Sequence, residues 1–174
     1  MMKRIFILLT TMALGVLMVS SVALALNRIS CPPDAFLCEG TPEADSMSGT
    51  AGHDAMNGKK SDDQLNGHED SDDMDGAAGN DTLNGGAGND YLGDRAGTNT
   101  LNGGAGSDTF FADYANRYGG NEISKISGAY GTDYVYAGDG AKDTIYCGMG
   151  HDVVSSYDPG LDVLRGCEEI YIQQ

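Results

Sequence analysis

Gly85-Gly86-Ala87-Gly88-Asn89-Asp90-Tyr91-Leu92-Gly93 decides the reading of this chain, because its pattern recurs on both sides. Glycine takes the first, second and fourth places, Asp the sixth, and a large apolar residue the eighth. Counting outward by nine divides residues 40 to 111 into eight consecutive units without insertion, beginning at residues 40, 49, 58, 67, 76, 85, 94 and 103. The first position is Gly40, Gly49, Gly58, Gly67, Gly76, Gly85 and Gly103, with Asp94 the departure. The sixth is Asp45, Asp54, Asp63, Asp72, Asp81, Asp90 and Asp108, with Asn99 the departure. The eighth is apolar throughout: Met47, Met56, Leu65, Met74, Leu83, Leu92, Leu101 and Phe110.

Composition alone would suit a solvated, disordered segment, since 174 residues include 26 Gly and no Trp, and the formal charge is −16. Periodicity overrides it. A linker has no reason to hold Met, Leu or Phe in register with Asp over eight cycles. The acidic balance argues against a nucleic-acid partner, whose phosphates the chain would repel. The same balance opposes compaction: carboxylates ~5 Å apart repel by about 1 kcal/mol in bulk water and roughly 3 kcal/mol at an effective dielectric of 20. A bound cation removes that cost.

Within each unit the Gly-rich half suits a tight turn, and the last three residues suit a short strand with the eighth side chain inward. Two units then make one coil, and unit n stacks on unit n+2. This predicts an all-β fold, a parallel β-roll, with Asp54, Asp72, Asp90 and Asp108 along one edge and Asp45, Asp63, Asp81 and Asn99 along the other. Leu92 is expected to pack between Met74 and Phe110. Calcium takes six to eight hard oxygen ligands, which two stacked turns can offer as carbonyls plus an Asp from each. Magnesium, with its tighter octahedron, fits less well. The unit Gly58-Lys59-Lys60-Ser61-Asp62-Asp63 lacks the second and fourth glycines and carries two cations, so a weaker site is expected there.

A second block begins at Gly128, where Asp133, Asp143, Asp152 and Asp162 are each followed two residues later by Val135, Ile145, Val154 and Leu164. The single spacing alternates between ten and nine, yet Asp133 to Asp152 and Asp143 to Asp162 are both 19 residues, so coil length is constant. Candidate metal ligands are thus Asp54, Asp63, Asp72, Asp81, Asp90, Asp108, Asp133, Asp143, Asp152 and Asp162, with the turn backbone at Gly85, Gly88, Gly103 and Gly106. Between the blocks, residues 112 to 127 break the count and are expected to form an irregular insertion.

The four cysteines allow three pairings. Cys31 and Cys38 frame a short loop, for which a local disulfide is the simplest solution. Cys147 lies 19 residues from Gly166, so on stacked coils it sits beside Cys167, within disulfide reach. Cys31–Cys38 and Cys147–Cys167 are therefore expected. At the N-terminus, Lys3-Arg4, the apolar run from Ile5 and Ala23-Leu24-Ala25 read as a secretory signal cleaved after Ala25, with an uncleaved anchor as the rival. The domain order expected is signal peptide (1–25), disulfide-bearing cap (26–39), first block (40–111), insertion (112–127), and second block with a C-terminal cap (128–174).

The repeated Gly-Gly-x-Gly-x-Asp-x-apolar-x pattern resembles the haemolysin-type, or repeats-in-toxin (RTX), calcium-binding nonapeptide. The resemblance covers roughly residues 40 to 170 and is closest to short stand-alone secreted members ending in a Cys-Glu, here Cys167-Glu168. It implies a secreted, extracellular protein whose roll folds around several Ca2+ ions. No toxin, protease or lipase motif accompanies the repeats, and no nucleophile–base pattern is present, so an enzyme is not expected. His53, His68 and His151 fall at positions expected to face solvent. The alternative is a cell-surface adhesin or an accessory module of a secreted hydrolase or toxin. The seventh positions, Ser46, Ala55, Gln64, Asp73, Thr82, Tyr91, Thr100 and Thr109, are too mixed for a lattice-matching face. Protein or glycan partners are not specified.

Overall fold

The structure, a computed structural model, describes residues 26–33, 37–112, 123–138 and 140–171. The expected signal (1–25) lies outside them, as do most of the expected insertion (113–122) and three residues of the loop between Cys31 and Cys38.

Short strands alternate between two parallel eight-stranded sheets. The first sheet holds β1 (Asn27–Ser30), β3 (Asp45–Ser48), β5 (Gln64–Glu69), β7 (Thr82–Ala87), β9 (Thr98–Ala105), β11 (Ile123–Gly131), β13 (Thr144–Gly150) and β15 (Val163–Arg165), in that order. The second holds β2 (Cys38–Glu39), β4 (Ala55–Asn57), β6 (Asp73–Asp75), β8 (Tyr91–Gly93), β10 (Thr109–Phe111), β12 (Tyr134–Tyr136), β14 (Val153–Ser156) and β16 (Glu169–Ile170). Parallel neighbours need a long crossover. Here the crossover is the opposite half of the coil, so each sheet supplies the other's connections. The result is the expected β-roll.

Side chains alternate across a strand, so the eighth position of every unit points between the sheets. One column runs Met47, Leu65, Leu83, Leu101, Ile126, Ile145 and Leu164 in direct register. The facing column runs Cys38, Met56, Met74, Leu92, Phe110, Val135, Val154 and Ile170. Leu92 is packed between Met74 and Phe110 as expected. From Met47 to Val154 these side chains are 0–2 % exposed, while terminal Ile170 is 45 % exposed. Fully burying a Leu or Phe contributes about 1.5–3 kcal/mol. With only two such residues per coil the core is narrow, and backbone and turn chemistry must carry much of the stability.

Both expected disulfides are present, with Cα separations of 5.5 Å for Cys31–Cys38 and 5.1 Å for Cys147–Cys167. Cys38 is also the first member of the second core column, so its bridge closes that column at the N-terminal end.

The regular coil resumes earlier than the sequence pattern suggests. β11 already pairs Ile123 with Thr98, Ser124 with Asn99 and Ile126 with Leu101. On the other sheet Phe110 meets Val135. Both registers span 25 residues, seven more than the 18 of the first block, so the interruption adds seven residues and leaves the stacking unbroken.

Candidate metal centres

The sixth-position carboxylates line the two edges where the chain turns from one sheet to the other. From Asp63 and Asp72 onward, each uses one oxygen to join its coil to the one before. On one edge Oδ1 of Asp72 accepts the backbone N–H of Asp54, Asp90 that of Asp72, Asp108 that of Asp90, Asp133 that of Asp108, and Asp152 that of Asp133, at 2.8–3.0 Å. On the other, Asp63 serves Asp45, Asp81 serves Asp63, Asn99 serves Asp81, Asp143 serves Ser124 and Asp162 serves Asp143, at 2.6–2.9 Å. The candidate aspartates thus form two ladders, one continuous from Asp54 to Asp152 and the other interrupted between Asn99 and Ser124, whose hydroxyl has no partner among the described residues. The bond from Asp108 to Asp133 joins the two blocks directly.

The second carboxylate oxygen is treated differently. Oδ2 of Asp63, Asp72, Asp81, Asp90, Asp108, Asp133 and Asp152 is buried and receives no hydrogen bond among the described residues. In all of these but Asp152, whose turn begins with Cys147, it lies instead over the first glycine of its own turn. A Cβ on Gly85 would overlap Oδ2 of Asp90 and stand 2.8 Å from the carbonyl oxygen of Gly103 on the next coil. A Cβ on Gly67 would meet Oδ2 of Asp72 and, at 2.7 Å, the carbonyl oxygen of Gly85. Gly88 and Gly106 form the fourth-position column. Both have φ near +140°, and a Cβ on Gly106 would overlap the carbonyl oxygen of Gly88.

An unpaired buried carboxylate is costly as an anion, and its protonation responds. Burial is the leading cause in every case. It pushes Asp63 and Asp108 up to about 7, and Asp72, Asp81 and Asp133 to about 6, against the opposing backbone N–H donor; neighbouring carboxylates add to the rise. Asp90, Asp152 and Asp162 are raised in the same direction.

The outermost turns do not share this vacancy. Oδ2 of Asp45 accepts the Thr41 backbone N–H at 2.6 Å and is reached by the Thr41 hydroxyl at 3.1 Å; Thr50 does the same for Asp54. Oδ2 of Asp162 accepts the Asp158 backbone N–H at 2.7 Å. Threonine at the second position, in place of glycine, therefore satisfies the first coil internally.

Three residues at these edges, two of them members of the ladders, escape the sequence pattern. Ser124 occupies a sixth position, 2 % exposed and in register with Asn99. Glu168 takes the place of the next Asp after Asp152, accepting its backbone N–H at 3.0 Å across a shortened last turn. Asp94, fully buried, brings a carboxylate into the edge from the first position, and burial together with the Asp81 charge pushes it up to about 8. A further ladder sits on the outer face at the ninth position, where Asn102 donates to Asn84 and Asn84 to Asn66 at 2.8 and 2.9 Å.

No group of three or more His, Cys, Asp or Glu side chains among the described residues is placed to hold a metal by itself. Any ion must therefore be held largely by backbone carbonyls beside no more than two such side chains. That donor set is all hard oxygen, with an unsatisfied anionic oxygen at its centre, and it fits calcium rather than a softer transition metal.

A parallel β-roll with orphaned carboxylates at stacked Gly-rich turns defines a calcium-binding repeat protein. The family model of the RTX calcium-binding nonapeptide repeat matches residues 39–74, 48–83, 66–93, 75–110 and 118–154. The chain belongs to this family, whose repeats bind Ca2+ between turns. No curated protein and no solved structure matches the chain.

Proposed function

We propose that this is a secreted calcium-binding protein in which Ca2+ held between stacked turns drives folding of the roll into an extracellular scaffold. The observation that carries the reading is the run of buried Oδ2 atoms without donors on consecutive inner coils, each beside a carbonyl oxygen of the next coil where the turn is regular. Asp63, Asp72, Asp81, Asp90, Asp108, Asp133, Asp143 and Asp152 are the proposed ligands, with carbonyls of turns such as Gly85–Gly88 and Gly103–Gly106. Asp54 and Asp162, whose second oxygens already have donors, would join them less readily. Bound calcium supplies the positive charge that these oxygens lack. For Asp63, Asp72, Asp81, Asp90, Asp108, Asp133 and Asp152 the chain's own contribution is to hold one oxygen by the ladder N–H and to leave the other bare and buried.

Secretion rests on the signal-like first 25 residues and on the family, whose members are typically secreted. The role is structural rather than catalytic. All four cysteines are in disulfides, and the exposed histidines are engaged: His68 with Ser48, His151 with Glu169, and His53 with the Ser71 carbonyl. A site held at 100 times its dissociation constant adds about 2.7 kcal/mol to folding, so a few sites can stabilise a narrow core. Circular dichroism of the chain is expected to gain β signal on calcium addition and lose it to chelator. A spectrum unchanged up to ~10 mM calcium, above the range of extracellular calcium modules, would overturn the reading.

A further inference from the structure

The turn from Gly76 to Asp81 and the turn stacked on it, Asp94 to Asn99, depart from the ladder pattern twice, and the departures complement each other. Asn99 keeps the ladder bond, its Oδ1 accepting the Asp81 N–H at 2.9 Å. Its other polar atom, Nδ2, is buried without an acceptor among the described residues, so it puts a donor where its neighbours put a bare oxygen. Asp94 restores that oxygen from a different place. The residue is 0 % exposed, and its Oδ1 accepts the backbone N–H of Arg95 at 2.6 Å. Its Oδ2 receives no hydrogen bond among the described residues.

That oxygen points back at the preceding coil. A Cβ on Gly76 would stand 2.5 Å from Oδ2 of Asp94 and 2.6 Å from Oδ2 of Asp81. In the regular turns the second oxygen at this place belongs to a peptide carbonyl: Gly76 over Gly58 at 2.9 Å, Gly85 over Gly67 at 2.7 Å, Gly103 over Gly85 at 2.8 Å. Here a carboxylate has taken the carbonyl's place. Two buried carboxylate oxygens facing the same glycine Cα repel unless something positive lies between them. Arg95 is paired with Asp75.

We propose that Asp81 and Asp94 jointly hold one divalent cation beside Gly76, a two-carboxylate site within a roll whose regular turns offer one. The inference rests on the calcium reading above and adds a ligand from a position the repeat pattern assigns to glycine. Calcium affinity rises with ligand charge count, so this site fills first. A proton shared between the two carboxyls is the competing arrangement, and it predicts no ion there.

Calcium titrations of the full chain by calorimetry, with native mass spectrometry to count ions, distinguish them. Asp94→Asn removes the charge at nearly constant shape. Asp94→Gly installs the residue found at the other unit starts and guards against misfolding of the first variant. Asp73→Asn removes one charge from the exposed face of β6 and serves as control. The tightest binding step is expected to weaken by about tenfold or more in both Asp94 variants and to be unchanged in Asp73→Asn. A tightest step that is the same in the wild type, Asp94→Asn and Asp94→Gly overturns the two-carboxylate site while leaving the calcium roll standing. A wild-type chain that binds no calcium overturns both.

Discussion

Lys59, Ser61, His68, Asp70, Ala77 and Ala129 all hold positive φ, between 67° and 88°, at second and fourth positions where the best repeats have glycine. A residue with a Cβ costs roughly 1–2 kcal/mol in this conformation. Replacing alanine by glycine usually destabilises by about 0.5–1 kcal/mol through the unfolded chain. At Ala77 and Ala129 the first effect exceeds the second, so Ala77→Gly and Ala129→Gly are each expected to stabilise the calcium-loaded roll by about 0.5–1 kcal/mol. Ala87→Gly, in the third position of its turn, should destabilise it. Urea unfolding in saturating calcium measures all three, and a loss of stability at Ala77 and Ala129 would show that the left-handed turn is not strained. The missing glycines are plain in the sequence. The backbone keeping its left-handed turn without them is not, because neighbouring coils impose the conformation through the ladder.

At the scale of the strand and coil, the C-terminal end is the thinnest part of the roll. β15 and β16 have three and two residues, and Leu164 and Ile170 cover the core only in part. Cys147–Cys167 ties this last turn to the coil beneath across 20 residues, a closure worth about 3 kcal/mol. In a solenoid each coil contacts only its neighbours, so the loss should stay local. With both cysteines replaced by alanine, amide exchange is expected to accelerate over 163–170 and to stay unchanged over 82–111; acceleration throughout would mean that the roll unfolds as one unit. Much of this architecture was legible. Leu83, Leu101 and Asp90 recur at fixed spacing, and the 19-residue step placed Cys147 beside Cys167. The coil through Ser124 and Ile126 was hidden because seven extra residues broke a count of nine and serine stood in for aspartate. The Asn66–Asn84–Asn102 ladder shows at a spacing of 18 and was masked by reading single units. Asp94 and Glu168 were illegible for another reason: the pattern tells which residue enters a turn, and not how far a side chain reaches from a neighbouring position.

For the whole molecule, the raised carboxyls couple folding to pH. Without metal, the folded roll holds more protons than the unfolded chain from near pH 4, the ordinary Asp range, up to the shifted values of about 6 to 8. This contribution to stability is complete below the ordinary value of 3.8 and is lost as pH rises through 6 to 8. Calcium requires the ionised form, so its effect runs the other way. In chelator the thermal midpoint is expected to fall from pH 4.5 to pH 8, and in millimolar calcium to rise over the same range. A chelator midpoint that rises with pH would contradict the burial of bare carboxylates. In the first coil Thr41 and Thr50 already satisfy Asp45 and Asp54, and Cys31–Cys38 closes its core column. In a nucleated assembly the first turn is the costly one and later turns add to a template. On the calcium reading proposed above, the first coil, with its own donors and disulfide, is where folding would start, and calcium would act on the coils added to it. On that reading the roll would be a primed filament confined to one molecule, its ordered length set by how many coils hold their metal.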